Sequence, residues 1–157
     1  MKITILLSIL RGVKSTVAVK RIFSGKELEK AYAIRARVFV REQGVPQEIE
    51  LDRDDKRATH FLALAAGKAV GTARIVMHRG HAKIGRMAVL RMYRGRGIGT
   101  KLLKRAIAAA KKQDARKIYL HAQLKVIGFY EANAFRVVGS VFKEAGIPHR
   151  KMVLTQR

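Results

Sequence analysis

Arg94-Gly95-Arg96-Gly97-Ile98-Gly99-Thr100 links a stretch that reads as a strand, Ala82 to Leu90, to one that reads as a helix, Ile98 to Ala110. Its three glycines alternate with Arg94, Arg96 and Ile98. Glycine admits backbone dihedrals closed to other residues and lets the chain approach a ligand closely. The helix that follows offers unpaired N–H groups and the positive end of its dipole. Such a turn is a cradle for phosphate. It lacks the Gly-Lys-Ser/Thr ending of a P-loop, and by itself it is equally a tight strand-to-helix connection with solvated arginines.

What lies upstream narrows the choice. His60 to Ala65 and Ala69 to Met77 read as strands joined at Gly67-Lys68, and Arg79-Gly80 turns the chain into Ala82 to Leu90. Three strands in an antiparallel meander are not a βαβ unit, which argues against a dinucleotide fold. Val17 to Phe23 alternates as a first strand, and Ser24-Gly25-Lys26-Glu27 is a capping box. Leu28, Ala31, Tyr32, Arg35, Val38 and Phe39 then recur at helical spacing until Gly44 and Pro46. Residues 47–57 are polar and read as a loop.

Downstream of the turn, Lys117 to His121 reads as a short strand and Leu124 to Asn133 as a short helix. Phe135 to Phe142 and Lys151 to Leu154 close the chain around a Gly146-Ile147-Pro148 turn. The order predicts an α/β domain: a mixed, mostly antiparallel central sheet of about seven strands flanked by helices.

A chain of 157 residues, 48% of them hydrophobic, suits one domain with a sizeable core. The absence of cysteine excludes disulfides, thiolate zinc sites and acyl transfer through an enzyme thiol. His60, His78, His81 and His121 show no metal-ligand spacing, so no metal is expected. The net charge of +23 favours polyanions: nucleic acid, anionic membrane or a phosphate-rich cofactor. Twelve lysines and arginines fall between Lys83 and Lys117 without an interleaved aromatic stripe, a pattern suited to non-specific nucleic-acid binding. The apolar run Ile3 to Leu10 is too short to span a bilayer. Residues 1–16 read as an N-terminal extension, expected to be poorly ordered, ahead of a domain over 17–157. A cytoplasmic protein, monomeric or homodimeric and not membrane-bound, is expected.

Six of the 11 acidic residues, Glu42, Glu48, Glu50, Asp52, Asp54 and Asp55, lie within one short segment. They read either as a wall attracting a cationic amine or as a solvated loop balancing Arg41, Arg53, Lys56 and Arg57.

Arg94, Gly97 and Gly99 match the Gln/Arg-x-x-Gly-x-Gly/Ala core of motif A in the GNAT superfamily of N-acyltransferases, which this segment resembles. Phe129-Tyr130-Glu131, followed by Ala134-Phe135, is similar to that family's Phe-Tyr-x-x-x-Gly-Phe signature. Arg37-x-Phe39-Val40-x-Glu42-Gln43-Gly44-Val45-Pro46, Ala122-Gln123 and Glu144-Ala145-Gly146-Ile147-Pro148-His149 resemble a small bacterial subgroup of acetyltransferases. The likeness runs over roughly residues 17–155.

The resemblance implies the GNAT fold, with acetyl-CoA in a V-shaped gap between the strands ending at Val89 and at His121. It assigns the pantetheine arm to the backbone of Met87, Ala88 and Val89, and the pyrophosphate to amides of Arg94, Gly95, Arg96, Gly97, Ile98, Gly99 and Thr100. The reaction implied is direct attack of an amine on the thioester. Tyr130 matches the proton donor to the leaving thiolate, since a phenol of pKa about 10 is protonated at neutral pH. Glu42, at the helix end nearest the gap, is the first choice of general base, and Gln123 is a candidate to orient the acyl carbonyl. His149, at the lip of the sheet, reads as a structural residue first, with a base or a substrate contact as the alternatives. The acceptor implied is a cationic small molecule or peptide amine; the alternative is a basic nucleic-acid or ribosome-binding module on the same scaffold. Two positions depart from the pattern. Arg91 stands where proline is common. Ala134 stands where the family has glycine, so either alanine is strained there or Asn133 takes the left-handed conformation instead.

Overall fold

The computed structural model describes residues 16–155. The extension expected over 1–16 lies, but for Thr16, outside the described residues. Seven strands form one sheet in the order β1-β2-β3-β4-β5-β7-β6. They are β1 (Val17–Arg21), β2 (Thr59–Ala65), β3 (Lys68–His78), β4 (His81–Val89), β5 (Lys117–Gln123), β6 (Phe135–Glu144) and β7 (Ile147–Leu154). Every neighbouring pair is antiparallel except β4–β5. That pair is parallel because α3 (Ile98–Lys112) crosses between its strands. The mixed, mostly antiparallel sheet with flanking helices is the fold that the sequence predicts.

Three hairpins share one solution. Ala66-Gly67, Arg79-Gly80 and Ala145-Gly146 all have positive φ at both residues, as a two-residue type I′ loop requires. Glycine supplies the second position freely, and the first is held by the closing pairs Ala65↔Lys68, His78↔His81 and Glu144↔Ile147. The first turn is therefore Ala66-Gly67 rather than Gly67-Lys68. The last is Ala145-Gly146, which puts Ile147 and Pro148 inside β7 rather than in the turn. Pro148 is tolerated there because it pairs with β6 alone; the β5 ladder reaches only as far as His149.

The first helix, α1 (Gly25–Arg35), starts at Ser24, whose side chain accepts from the Glu27 N–H. It then widens into a π-helix over Ala36–Glu42. The segment expected to be a loop is more structured than its polarity suggests. It holds the helical turn α2 (Gln47–Glu50) and a 3₁₀ turn, Arg53–Lys56, closed by an Asp52/Asp55 capping box. The short helix after β5 is a 3₁₀ turn, Leu124–Val126, running into α4 (Ile127–Glu131).

The helices cover opposite faces of the sheet. α3 buries Ile98, Leu102, Leu103, Ala106 and Ala110 in one cluster with Phe61, Ala73, Ile84 and Leu120. α1 and the π-helix bury Ala31, Ile34 and Val38 with Leu62 and Ala88 on the other face. The outward face of α3 carries Lys101, Lys104, Arg105, Lys111 and Lys112, all exposed.

Candidate active site

The β4–β5 ladder runs from His81↔Lys117 to Ile84↔Leu120 and stops there. A bulge causes the parting. Thr72 pairs with Ala88 and Arg74 with Gly85, so Arg86 and Met87 together oppose Ala73. Arg86 sits at φ 49°, a left-handed conformation unusual for a side chain with a Cβ. A bulge bends its strand and re-aims side chains. Beyond it, Met87 and Val89 pack with the α3 core and Ala88 with the α1 core.

The bulge is braced from below by charge. Arg86 donates to the Glu50 carbonyl at 3.0 Å and to Asp52 Oδ2 at 3.2 Å. Arg74 donates to Asp52 and Asp55, and Arg35 donates to Glu50 and Asp55. Arg35, Glu50, Asp55 and Arg74 are all buried. Five of the six clustered acids are thus paired, counting Asp54 with Arg57 and Glu42 with Arg94. This corrects the reading of an acidic wall. The segment is an ion-paired brace, and the lining of the gap is close to charge-balanced: Glu50, Asp52, Asp54 and Glu144 stand against Arg74, Lys83, Arg86, Arg94 and Lys125.

A cavity of about 1000 Å³ runs from the glycine turn through the gap. At one end, Gly95 and Gly97 have φ 73° and 77°, and Gly97 caps α3 with no side chain. The first amide bonded within the helix is that of Lys101, which donates to Gly97 O, so the Ile98, Gly99 and Thr100 N–H groups face outward. Those are the donors that an anion needs. A Cβ at Gly99 would lie 3.4 Å from the Phe129 ring, an ordinary contact, so α4 packs close to the start of α3 there.

The arginines of the turn serve it indirectly. Arg94 donates through Nε to Val89 O at 2.8 Å and through Nη2 to Glu42 Oε2 at 2.8 Å. Arg96 lies over the Tyr93 ring. Glu42 is therefore occupied by Arg94 and does not line the cavity, which argues against its expected place as base. Gln123 lines the cavity but gives its amide N–H to Gln43 Oε1 at 2.7 Å.

Tyr130 reaches the cavity from α4, with its hydroxyl 3.6 Å from Met87 Sδ. Burial alone pushes its pKa up to about 12, so the phenol holds its proton throughout the neutral range. Ala134, at φ 67°, takes the left-handed conformation itself; Asn133 does not. The strain at Ala134 is compensated locally, since its carbonyl accepts from both the N–H and the hydroxyl of Thr155.

Across the sheet from Tyr130, three residues meet that sequence reading left apart. His121 Nδ1 lies 2.7 Å from Glu144 Oε1, and His149 Nε2 lies 3.9 Å from Glu144 Oε2. Phe142 packs edge-on to His121 and stacks on His149. The alternation of Lys117–Gln123, apolar at Ile118, Leu120 and Ala122, was the available signal, because it turns His121 away from α3. No group of three or more His, Asp or Glu among the described residues is arranged to hold a metal.

Known proteins share this fold. The family model for the acetyltransferase (GNAT) domain matches residues 21–156. The uncharacterized N-acetyltransferase YjcF of Bacillus subtilis is 35% identical over 129 residues, covering 82% of this chain and 92% of that protein. The crystal structure of Escherichia coli ElaA superposes with a TM-score of 0.80 at 27% identity, covering 89% of this chain and all of that one. An acyl-CoA N-acyltransferase from Pseudomonas aeruginosa superposes with a TM-score of 0.77 at 30% identity, over 89% of this chain and 99% of that one.

Proposed function

This chain belongs to the GNAT family of acetyltransferases, and from that premise we propose that it transfers an acetyl group from acetyl-CoA directly to a primary amine. The observation that carries the proposal is the continuity of the cavity. One space joins the unpaired amides of the glycine turn, the free edge of β4 past Ile84, and Tyr130. That sequence of groups suits a pyrophosphate, an extended amide-bearing arm and a thioester, in that order.

In this reading the amides of Gly95 to Thr100 hold the pyrophosphate; the Arg94 N–H, expected to join them, is given to Arg91 O at 3.3 Å, and Arg94 instead fixes the turn through Val89 and Glu42. The backbone of Met87, Ala88 and Val89 pairs with the pantetheine arm as an added strand would. The amine nitrogen attacks the thioester carbon, and the C–S bond breaks as the amide forms. Tyr130 protonates the departing thiolate. Gln123, held by Gln43, is placed to orient the acyl carbonyl. Because a polyanionic donor does not cross a bilayer unaided, the proposal carries a cytoplasmic location. A nucleic-acid-binding module without acyl chemistry is not favoured, since it leaves the cavity and the family match unexplained; the basic face of α3 allows such binding beside the enzyme reaction.

Isothermal titration with acetyl-CoA tests the donor. The wild type should bind it and Gly97→Glu should not, because a carboxylate would then occupy the anion cradle. Absence of binding at millimolar acetyl-CoA would refute the proposal. Thiol release from acetyl-CoA with a panel of amines then identifies the acceptor. Tyr130→Phe should lower kcat by about 100-fold or more with little change in cofactor affinity.

A further inference from the structure

Tyr130 supplies a proton to sulfur, but an alkylammonium acceptor must first lose one. Neither acid singled out by its position near the gap does this well. Glu42 is tied to Arg94 outside the cavity, and Glu50 is tied to Arg35 inside the brace. We propose that His121 is the base that deprotonates the acceptor amine, with Glu144 and His149 as positioning residues. This rests on the amine acyl transfer proposed above.

The faces of the sheet carry the first step. Ile118, Leu120 and Ala122 of β5 pack in the α3 core, together with Tyr130. His121 alternates with them and so faces the other side of β5. Both His121 and Tyr130 line the same cavity, which passes through the parted strands. An acyl carbon lodged in the gap would therefore have an acid on one side and a base on the other. Attack from the His121 side expels sulfur toward Tyr130.

Hydrogen bonding carries the second step. A carboxylate only accepts, so Nδ1 of His121 carries the proton it shares with Glu144 Oε1 at 2.7 Å. The lone pair of the neutral ring is then on Nε2. The same logic orients the histidine of a hydrolase triad: a carboxylate fixes the tautomer and steadies the imidazolium that forms. Glu144 is ionised at every relevant pH. The hydrogen bond from His121, with help from Lys83 at 3.8 Å, holds its pKa at about 2. Phe142 fixes the plane of the ring, with centroids 4.8 Å apart and an angle of 76°. His149, only 7% exposed, points Nδ1 at Ile147 O and turns Nε2 toward the second oxygen of Glu144.

The charged and titratable groups packed around His121 come from four strands. They are Lys83 on β4, Tyr119 on its own strand, Glu144 on β6, and His149 and Lys151 on β7, where Lys151 pairs with His121 and lies over the Tyr119 ring.

The protons balance. The ammonium gives one proton to Nε2, which releases it to solvent. The neutral nitrogen forms the C–N bond as the C–S bond breaks, and the thiolate takes the phenol proton of Tyr130. The second nitrogen proton leaves as the amide forms and restores Tyr130 through solvent. One proton is released per turnover.

His121→Asn tests this. The asparagine amide donates to Glu144 in place of Nδ1, so the hydrogen bond survives while Nε2 is removed. The assay is thiol release from acetyl-CoA with the fastest amine of the panel, followed from pH 6 to about pH 10. Acetyl-CoA affinity should stay within about twofold of wild type. The kcat at pH 7 should fall by about 100-fold or more. The variant should lose the rising limb that a histidine base places between about pH 5 and 8, and recover toward wild type only where the amine deprotonates unaided. Glu144→Gln should lower kcat with KM for the amine little changed, and should move the same limb. If His121→Asn keeps the wild-type kcat and profile while Tyr130→Phe slows the reaction, His121 is not the base and acyl transfer stands. If no amine in the panel releases thiol, both proposals fall.

Discussion

Replacing Arg35 by methionine keeps most of the side-chain volume and removes the centre of the buried ion network. The guanidinium makes four hydrogen bonds: to Glu50 Oε1 at 2.6 Å, to the Glu50 carbonyl at 2.9 Å, and to the two Asp55 oxygens at 2.7 and 3.0 Å. Asp55 is only partly deprived by the change, since Arg74 remains at 2.6 Å and the Asp52 N–H at 3.0 Å. Glu50 fares worse. It is 3% exposed, and its carboxylate keeps only Arg86 Nε, 3.5 Å away. Stranding one member of a buried pair costs about 3–5 kcal/mol. At about 3 °C per kcal/mol for a domain of this size, the melting temperature should fall by about 9–15 °C. Thermal unfolding followed by circular dichroism measures it. Arg35→Met combined with Glu50→Leu removes the stranded charge and should recover more than half of the loss. The pH dependence gives a second reading. Burial alone would raise the Asp55 carboxyl, but hydrogen bonds from Arg35, the Asp52 amide and Arg74 override it and hold its pKa well below the usual range. A carboxyl depressed in this way contributes stability that is full above its unfolded pKa of about 4 and is lost as pH falls toward its folded value. Wild type should therefore lose stability steeply below about pH 4, and Arg35→Met less steeply, part of the contribution being gone already. A loss under about 1 kcal/mol at pH 7, or a double variant no more stable than the single, would refute the reasoning.

Three further substitutions test individual positions. Ala134→Gly relieves a left-handed alanine worth about 1–2 kcal/mol but frees the unfolded chain by about 0.4–1, so the melting temperature should hold or rise by up to about 5 °C; a fall would mean that φ 67° is not strained. Glu42→Gln leaves an acceptor for Arg94 in a pair that is partly exposed on both sides, so stability should drop by no more than about 1 kcal/mol and kcat should hold. A 100-fold fall in kcat would instead restore Glu42 as the base. Gly71→Ala puts a Cβ 3.0 Å from Leu102 Cδ1 and 3.2 Å from the Ala88 carbonyl, and should cost about 1–3 kcal/mol in urea unfolding, whereas an unchanged midpoint would show that α3 shifts freely on the sheet.

What could be read from the sequence was whatever a short window contains. The glycine turn, the meander, though its first corner falls one residue earlier than read, and the amphipathic α3 each declare themselves within about a dozen residues, because backbone sterics and the 3.6-residue period act locally. The brace and the base do not. Arg35, Arg74 and Arg86 come from α1, β3 and β4 to meet Glu50, Asp52 and Asp55, and no spacing in the chain announces those partners. The acidic segment therefore looked like free charge waiting for a cation, when its charge is already matched. His121 and Glu144 are brought together only because β7 lies between β5 and β6 in the sheet, an order that sequence alone leaves open. The consequence reaches function. The same segment that seemed to attract the acceptor instead holds Arg86 at its positive φ, and Arg86 holds the bulge that parts β4 from β5. On the opposite wall of the gap, Glu144 faces the cavity with His121 and Lys83 as its partners. Substitutions in the acidic segment should act through stability and the shape of the gap, and Glu144→Gln through kcat rather than through KM for the amine.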